Sequence, residues 1–194
     1  MSRTTPPIDL VGMLFRVHQA LDSAGLHHAF GGALALAWCV SEPRATADID
    51  LNVFLPVSDL DQLLAALPAE VEVSEQSRSR FDEDGQARLW WNGVPLDVFL
   101  STDEFHADVG GRIVLRPLLG AHLPFLACRD LAVFKAFFDR ARDWVDIELM
   151  VAAGSFDISD VVLVLRDHLG ADDHRIARLE AMQGETSAGG NEMG

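Results

Sequence analysis

Apolar residues recur at helical spacing from Ile8 to Ala24, with Leu10, Met13, Leu14, Val17 and Leu21 on one face and Gly25 behind them. The pattern predicts a first amphipathic helix. His27–Phe30 reads as a short strand entering Gly31-Gly32, and Ala33–Val40 as a helix stopped by Pro43. Asp48–Leu55 is a buried strand closed by Pro56, and Ser58 or Asp59 caps a helix over Leu60–Leu67 that ends at Pro68. Val71–Ser74 and Gln86–Trp91 alternate as strands on either side of a polar, charged turn, Ser77–Gly85. Asn92-Gly93 predicts a hairpin that feeds the strand Val94–Leu100. A loop holding Gly110-Gly111 follows, then a short strand Arg112–Leu115. The period then becomes helical over Asp130–Met150, Ser159–Leu169 and Asp173–Met182, before a small polar tail, Gln183–Gly194, expected to be disordered. The expected fold is α+β, a mixed sheet flanked by helices with a helical C-terminal region. Its divisions are an α/β core over 1–115, helices over 116–182 and a tail over 183–194.

Composition narrows the class. With 49% hydrophobic and 23% charged residues in 194, this is a folded globular chain of one domain, or one domain with a helical extension. No apolar run approaches a membrane span, and Met1–Leu10 lacks a basic stretch followed by an apolar core. The expectation is a cytoplasmic protein without membrane attachment. Cys39 and Cys128 lie far apart with no CxxC or His spacing, so both are expected as buried, reduced thiols. The seven histidines make no metal motif. Fifteen basic against thirty acidic residues give a net charge of −15, and Lys135 is the sole lysine. Such acidity either confers only solubility or points to a small or cationic substrate or a basic protein partner, and it argues against gripping a long polyanion.

The candidate chemistry lies in Gly31-Gly32 and the downstream Arg44-Ala45-Thr46-Ala47-Asp48-Ile49-Asp50-Leu51. In a strand, Asp48 and Asp50 point from one face while Ile49 and Leu51 enter the core. Paired carboxylates repel unless a cation lies between them, and Mg²⁺ (or Mn²⁺) suits oxygen-only ligands, completing its shell with water and substrate phosphates. The glycine pair at a helix mouth offers a place for those phosphates. Asp97 is a lone acid in the apolar run Val94–Leu100, and a strand lying beside Asp48–Leu55 would turn it to the same cation. Three such carboxylates point to two-metal nucleotidyl transfer from a nucleoside triphosphate. Asp48 and Asp50 would bridge the ions, and Asp97 would be the acceptor-side ligand and proton acceptor. Arg44 either contacts phosphate or anchors its loop, and Thr46 fixes that loop. Trp90 and Trp91 take opposite strand faces, so at most one could stack on a base. Arg78, Arg80 and Arg88 flank the Ser77–Gly85 turn and read as a solvated tip, or as contacts for an acceptor's phosphates.

Gly31-Gly32, Arg44-x-Thr46-x-Asp48-Ile49-Asp50-Leu51 and the later Asp97 resemble the polymerase-β-like nucleotidyltransferase superfamily. Within it, the resemblance is to the AbiE-type (AbiEii) toxin branch and its small relatives, over roughly residues 27 to 150 and on towards Met182. That branch carries a downstream helix with a lysine and an Arg-Asp-x-x-Asp segment, here Lys135 and Arg142-Asp143-Trp144-Val145-Asp146. Lys135, Asp139, Arg142 and Asp146 recur at spacings of four, three and four and are expected on one face of one helix. The resemblance implies that Lys135 contacts the triphosphate while Arg142 and Asp146 pair and orient the site. It also implies a Mg²⁺-dependent transferase acting on tRNA, restrained by an antitoxin. A small-molecule transferase of the aminoglycoside type and a catalytically silent nucleotide-binding module are the alternatives.

Overall fold

The computed structural model describes residues 9–189. The expectation for the first residues falls mostly outside that range, as does the end of the expected tail at 190–194. The chain divides into two compact units. One comprises the chain up to Leu34 with Ala45–Phe125, the other Ala35–Arg44 with Leu126 onward.

In the first unit, helix α1 (Leu10–Ser23) buries Met13, Leu14, Val17 and Leu21, the face marked by its apolar spacing. Strand β1 (His28–Phe30) leads into α2 (Gly32–Leu36), and β2 (Ile49–Pro56) into α3 (Leu60–Ala66) and the short β3 (Val71–Glu72). Helix α4 (Glu75–Asp84) joins β3 to the hairpin of β4 (Gln86–Trp91) and β5 (Val94–Ser101). Helix α5 (Glu104–Val109), β6 (Val114–Leu118) and β7 (Ala121–Phe125) complete the unit. The seven strands lie in the order β3-β4-β5-β2-β1-β7-β6. Strand β2 is parallel to β5 and antiparallel to β1, so the sheet is mixed.

Alternation gives the sheet two unlike faces. Ile49, Leu51, Val53, Leu89, Trp91, Leu96, Val98 and Leu100 are all buried on one. On this side the Arg16 guanidinium of α1 lies 4.9 Å over the Trp91 ring. The other face is half-covered. Helix α5 shields one end of it, where the His106 ring meets Phe54 edge-on at 5.7 Å. The end carrying Asp50, Asp97 and Arg88 is left partly exposed.

Several local expectations change. Ser77–Gly85 is not a turn but most of helix α4. Ser74 and Ser77 form a reciprocal capping box, and Gly85 closes the helix at φ +67°. Only Ser77 and Phe81 of α4 are buried, so its sequence lacks the apolar stripe that announces a helix. The helix predicted over Ala33–Val40 ends at Leu36, and Asp48 lies in a bend just before β2. Helix α5 replaces part of the expected loop, with Asp103 accepting from the His106 N–H at 2.8 Å as its cap. Strand β7 was absent from the pattern because its hairpin turns at Leu119-Gly120, both at positive φ, and leucine is not a turn residue. Asn92-Gly93 does turn the β4–β5 hairpin, with both residues at positive φ.

The second unit is helical: α6 (Cys128–Phe138), α7 (Ala141–Ala152), α8 (Ile158–Leu169) and α9 (His174–Gly189). The expected disorder from Gln183 is therefore overturned as far as Gly189, where the backbone is helical. The single helix expected over Asp130–Met150 is broken at Asp139, which adopts the left-handed conformation at φ +54°. That conformation costs a non-glycine residue about 1 kcal/mol. Its carboxylate compensates by accepting from the Trp144 indole at 2.6 Å and by pairing with His174 at 2.7 Å. Asp139 is a helix cap, not a member of one charged helical face.

The cysteines depart furthest from expectation. Cys39 and Cys128 form a disulfide across a separation of 89 residues, joining the segment Ala35–Arg44 to the start of α6. Nothing in the spacing signals it, because the fold alone brings the two together. Closing so long a loop restricts the unfolded chain. Cys128→Ser should therefore lower the unfolding free energy by about 3–4 kcal/mol. Urea melts with and without reductant measure this, and coincident wild-type midpoints would contradict the cross-link.

Candidate active site

The parallel pairing of β2 with β5 sets Asp50 directly opposite Asp97. On the other side of β5, the antiparallel hairpin sets Arg88 opposite the same Asp97. Arg88, Asp97 and Asp50 thus form one row on the half-covered face. The row ends at the glycine turn, where the Gly31 N–H donates to the Asp50 carbonyl at 2.9 Å.

Gly32 sits at φ +52°, a conformation side chains rarely adopt. A Cβ there would lie 1.7 Å from Asp50 Oδ2. The glycine is therefore required twice, by the backbone turn and by the carboxylate seated against it. Just before the strand, the Thr46 hydroxyl donates to the Asp48 carboxylate, which ties that side chain to its own loop. Gly31, Gly32, Thr46, Asp48, Asp50 and Asp97 all lie in the first unit.

Arg88 is the residue whose place the sequence reading missed. It is not at a hairpin tip. Its guanidinium donates two hydrogen bonds to Asp97, Nε to Oδ1 at 2.7 Å and Nη2 to Oδ2 at 2.6 Å. This fork-to-fork geometry is the strong form of the arginine–carboxylate pair. Asp97's hydrogen bonds, and the charges of Asp97, Asp48 and Asp50, raise Arg88 above the ordinary guanidinium range against the opposing effect of burial. The available signal was the alternation of β4, which puts Arg88 and Trp90 on one face and Leu89 and Trp91 on the other. Trp91 is fully buried and Trp90 is 44% exposed, the split that alternation predicts.

The donor set is chemically right for a hard divalent cation, three carboxylates with no nitrogen or sulfur among them. The cradle at Gly32 holds one of the three in place. Among the described residues, however, no three His, Cys, Asp or Glu side chains converge closely enough to hold a metal ion as they stand. The reason is visible: Asp97 is turned to Arg88 and Asp48 to Thr46. The residues fit a cation by type and placement, and Asp97 and Asp48 would turn from Arg88 and Thr46 to take it.

The remaining candidates gather in the helical unit. Lys135 Nζ donates to Asp146 Oδ2 at 2.6 Å and reaches Asp143 Oδ1 at 3.4 Å. Arg44 donates to both oxygens of Asp146 at 3.2 Å, and Arg140 donates to Asp143 Oδ2 at 2.6 Å. Lys135, Asp143 and Asp146 are all buried. The expected helical face therefore resolves into a buried ion-pair cluster contributed by α6, α7 and the segment before β2. Asp146 pairs with Arg44 and Lys135, not with Arg142. Burial pushes the Asp146 carboxyl up, but hydrogen bonds from Arg44 and Lys135 and their charges outweigh it, leaving the group below the usual carboxylate range.

No protein-family model and no curated protein sequence matches the chain. Solved structures do. The crystal structure of ANT(2″)-Ia in complex with adenylyl-2″-tobramycin aligns with a TM-score of 0.58 at 15% identity, over 90% of this chain and 98% of that one. The solution structure of the antibiotic-resistance factor ANT(2″)-Ia aligns at 0.52 and 17% identity, over 90% and 97%. An antigenic nucleotidyltransferase-like protein from Paracoccidioides brasiliensis aligns at 0.49 and 16%, over 86% and 91%. The fold is that of a nucleotidyltransferase, a mixed-sheet core with a helical C-terminal region.

Two outcomes follow from this geometry. Gly32→Ala should displace the Asp50 carboxylate and weaken Mn²⁺ binding at least about tenfold while the far-ultraviolet circular dichroism is retained; unchanged affinity contradicts the cradle. Asp146, depressed in the folded state, stabilises the fold fully above its unfolded value, and that contribution is lost as the pH falls through the lower folded value. Urea melts between about pH 5 and 2 should show this acid limb in the wild type and a flatter one in Asp146→Asn.

Proposed function

We propose that the chain is a divalent-metal-dependent nucleotidyltransferase that moves a nucleoside monophosphate from a nucleoside triphosphate to an acceptor hydroxyl. The observation that carries this is the register of Asp50 opposite Asp97, beside a glycine turn shaped around the Asp50 carboxylate.

Asp48, Asp50 and Asp97 would hold the cation, Mg²⁺ or Mn²⁺. Bound there, it supplies charge neutralisation for the triphosphate and lowers the pKa of the acceptor hydroxyl. The turn at Gly31-Gly32, with the Asp50 carboxylate seated against it, would place the triphosphate beside the bound cation. Asp97, once free of Arg88, takes the hydroxyl proton. The acceptor oxygen then bonds to the α-phosphorus as the bond to the pyrophosphate oxygen breaks, and pyrophosphate leaves. Thr46 ties Asp48 to its loop until the cation takes the carboxylate.

For the acceptor, the net charge of −15 supports a cationic small molecule such as an aminoglycoside over a polyanion such as tRNA. The tRNA-directed toxin with its antitoxin rests on the sequence resemblance alone.

The test is transfer from α-labelled triphosphates to three acceptors: aminoglycosides, total tRNA and protein. We expect Mg²⁺-dependent label on the aminoglycoside, with equimolar pyrophosphate, and a loss of at least about 100-fold in Asp50→Asn. Label on tRNA instead would reinstate the toxin reading. No transfer from any triphosphate, or activity unchanged in Asp50→Asn, overturns the proposal.

A further inference from the structure

We infer that Arg88 is the resident counter-cation of the carboxylate row, a positioning residue that a divalent cation must displace from Asp97. The inference rests on the metal-binding reading of Asp48, Asp50 and Asp97, and adds a competitor to it.

Three observations converge. The first is register: Arg88 faces Asp97 across the hairpin, and Asp97 faces Asp50 across the parallel pair, so a cation on Arg88 is one strand from the first carboxylate and two from the second. The second is geometry, because each Asp97 oxygen accepts from the fork, which holds the carboxylate turned to Arg88 in competition with a metal. The third is exposure. The Arg88 side chain is 51% exposed and that of Asp97 only 19%, so the guanidinium can swing out to water while the carboxylate stays with its strand.

Like carboxylates on adjacent strands repel, and without metal something positive has to offset them. Arg88 does so. A divalent cation does it better, with two charges and direct oxygen ligation, but it must first break a bidentate charge-assisted pair. The pair therefore weakens metal binding in the free protein and steadies the row when metal is absent. Release frees the Asp97 oxygens for ligation and proton transfer together, so the arginine couples metal occupancy to a working proton acceptor.

The experiment is Mn²⁺ binding without nucleotide, followed by electron paramagnetic resonance, on wild type, Arg88→Gln, Arg88→Lys and Asp50→Asn. Thermal melts of the same chains with and without Mn²⁺ accompany it. Arg88→Gln should bind Mn²⁺ about fivefold or more tightly than wild type, because the competitor is gone. Arg88→Lys keeps the charge and loses the fork, and should fall between the two. Arg88→Gln should also melt lower without metal and gain more in melting temperature from Mn²⁺ than wild type does. A merely structural arginine would instead lower the melting point and leave metal affinity equal or weaker, which overturns the inference. Equal affinity in wild type and both arginine variants, with Asp50→Asn weakened, sinks the role of Arg88 and leaves the metal site standing. No Mn²⁺ binding by wild type or by the variants sinks both.

Discussion

Like charges on neighbouring strands repel, and this fold places Asp50 opposite Asp97 in its central parallel pair with Asp48 at the strand's entrance. The neighbours of the row accommodate these charges. Arg88 is set across the hairpin with both donors on Asp97, and Thr46 binds Asp48 to its loop. Gly32 withholds a Cβ so that the Asp50 carboxylate has room. The opposite face of the same strands is wholly apolar, so a one-residue slip would bury the carboxylates and expose Ile49, Leu51 and Val98. The core thus fixes the register, and the register fixes the site.

The helical unit meets a similar constraint by a different route. Lys135 is buried among Asp143 and Asp146, and the cluster survives because Arg44 and Arg140 supply further charge from either side. Removing a single partner would leave an uncompensated buried charge, which is far costlier than never having placed one. Three ties meet on the segment Ala35–Arg44: the Cys39–Cys128 disulfide, the Ser155 hydroxyl donating to the Cys39 carbonyl, and the Arg44 pair with Asp146. That segment separates the glycine turn from the aspartates in sequence, so the ties hold the middle of the motif to α6 and α7.

The legibility of the sequence follows from the range of each interaction. Alternation and periodicity are local, so β2, β4, β5 and the buried face of α1 could be read directly. A lone acid in an apolar strand is equally local, and it let Asp97 be paired with the Asp-x-Asp from the residue pattern alone. The helix α4 was hidden because its stability comes from caps and side-chain pairs, such as Arg80 with Asp84, and not from an apolar stripe. The break at Asp139 was hidden because a tryptophan and a histidine from later in the chain support a conformation aspartate rarely adopts alone. Long-range pairings carry no local trace at all. The disulfide across 89 residues and the approach of Arg44 to Asp146 exist only in the folded chain. Arg88 stands between these cases: its face is legible from alternation, while its pairing with Asp97 depends on the register of the hairpin.

We propose that the carboxylate row is a cation site joined to a triphosphate cradle. A crystal structure with Mn²⁺ and a non-hydrolysable nucleoside triphosphate analogue, with anomalous scattering recorded at the manganese edge, tests it most directly. We expect an anomalous peak ligated by Asp48 and Asp50, Asp97 turned from Arg88 towards it, and phosphate oxygens against the Gly31-Gly32 turn. Manganese bound away from these carboxylates, or a triphosphate seated elsewhere with the Arg88–Asp97 pair intact, would contradict it.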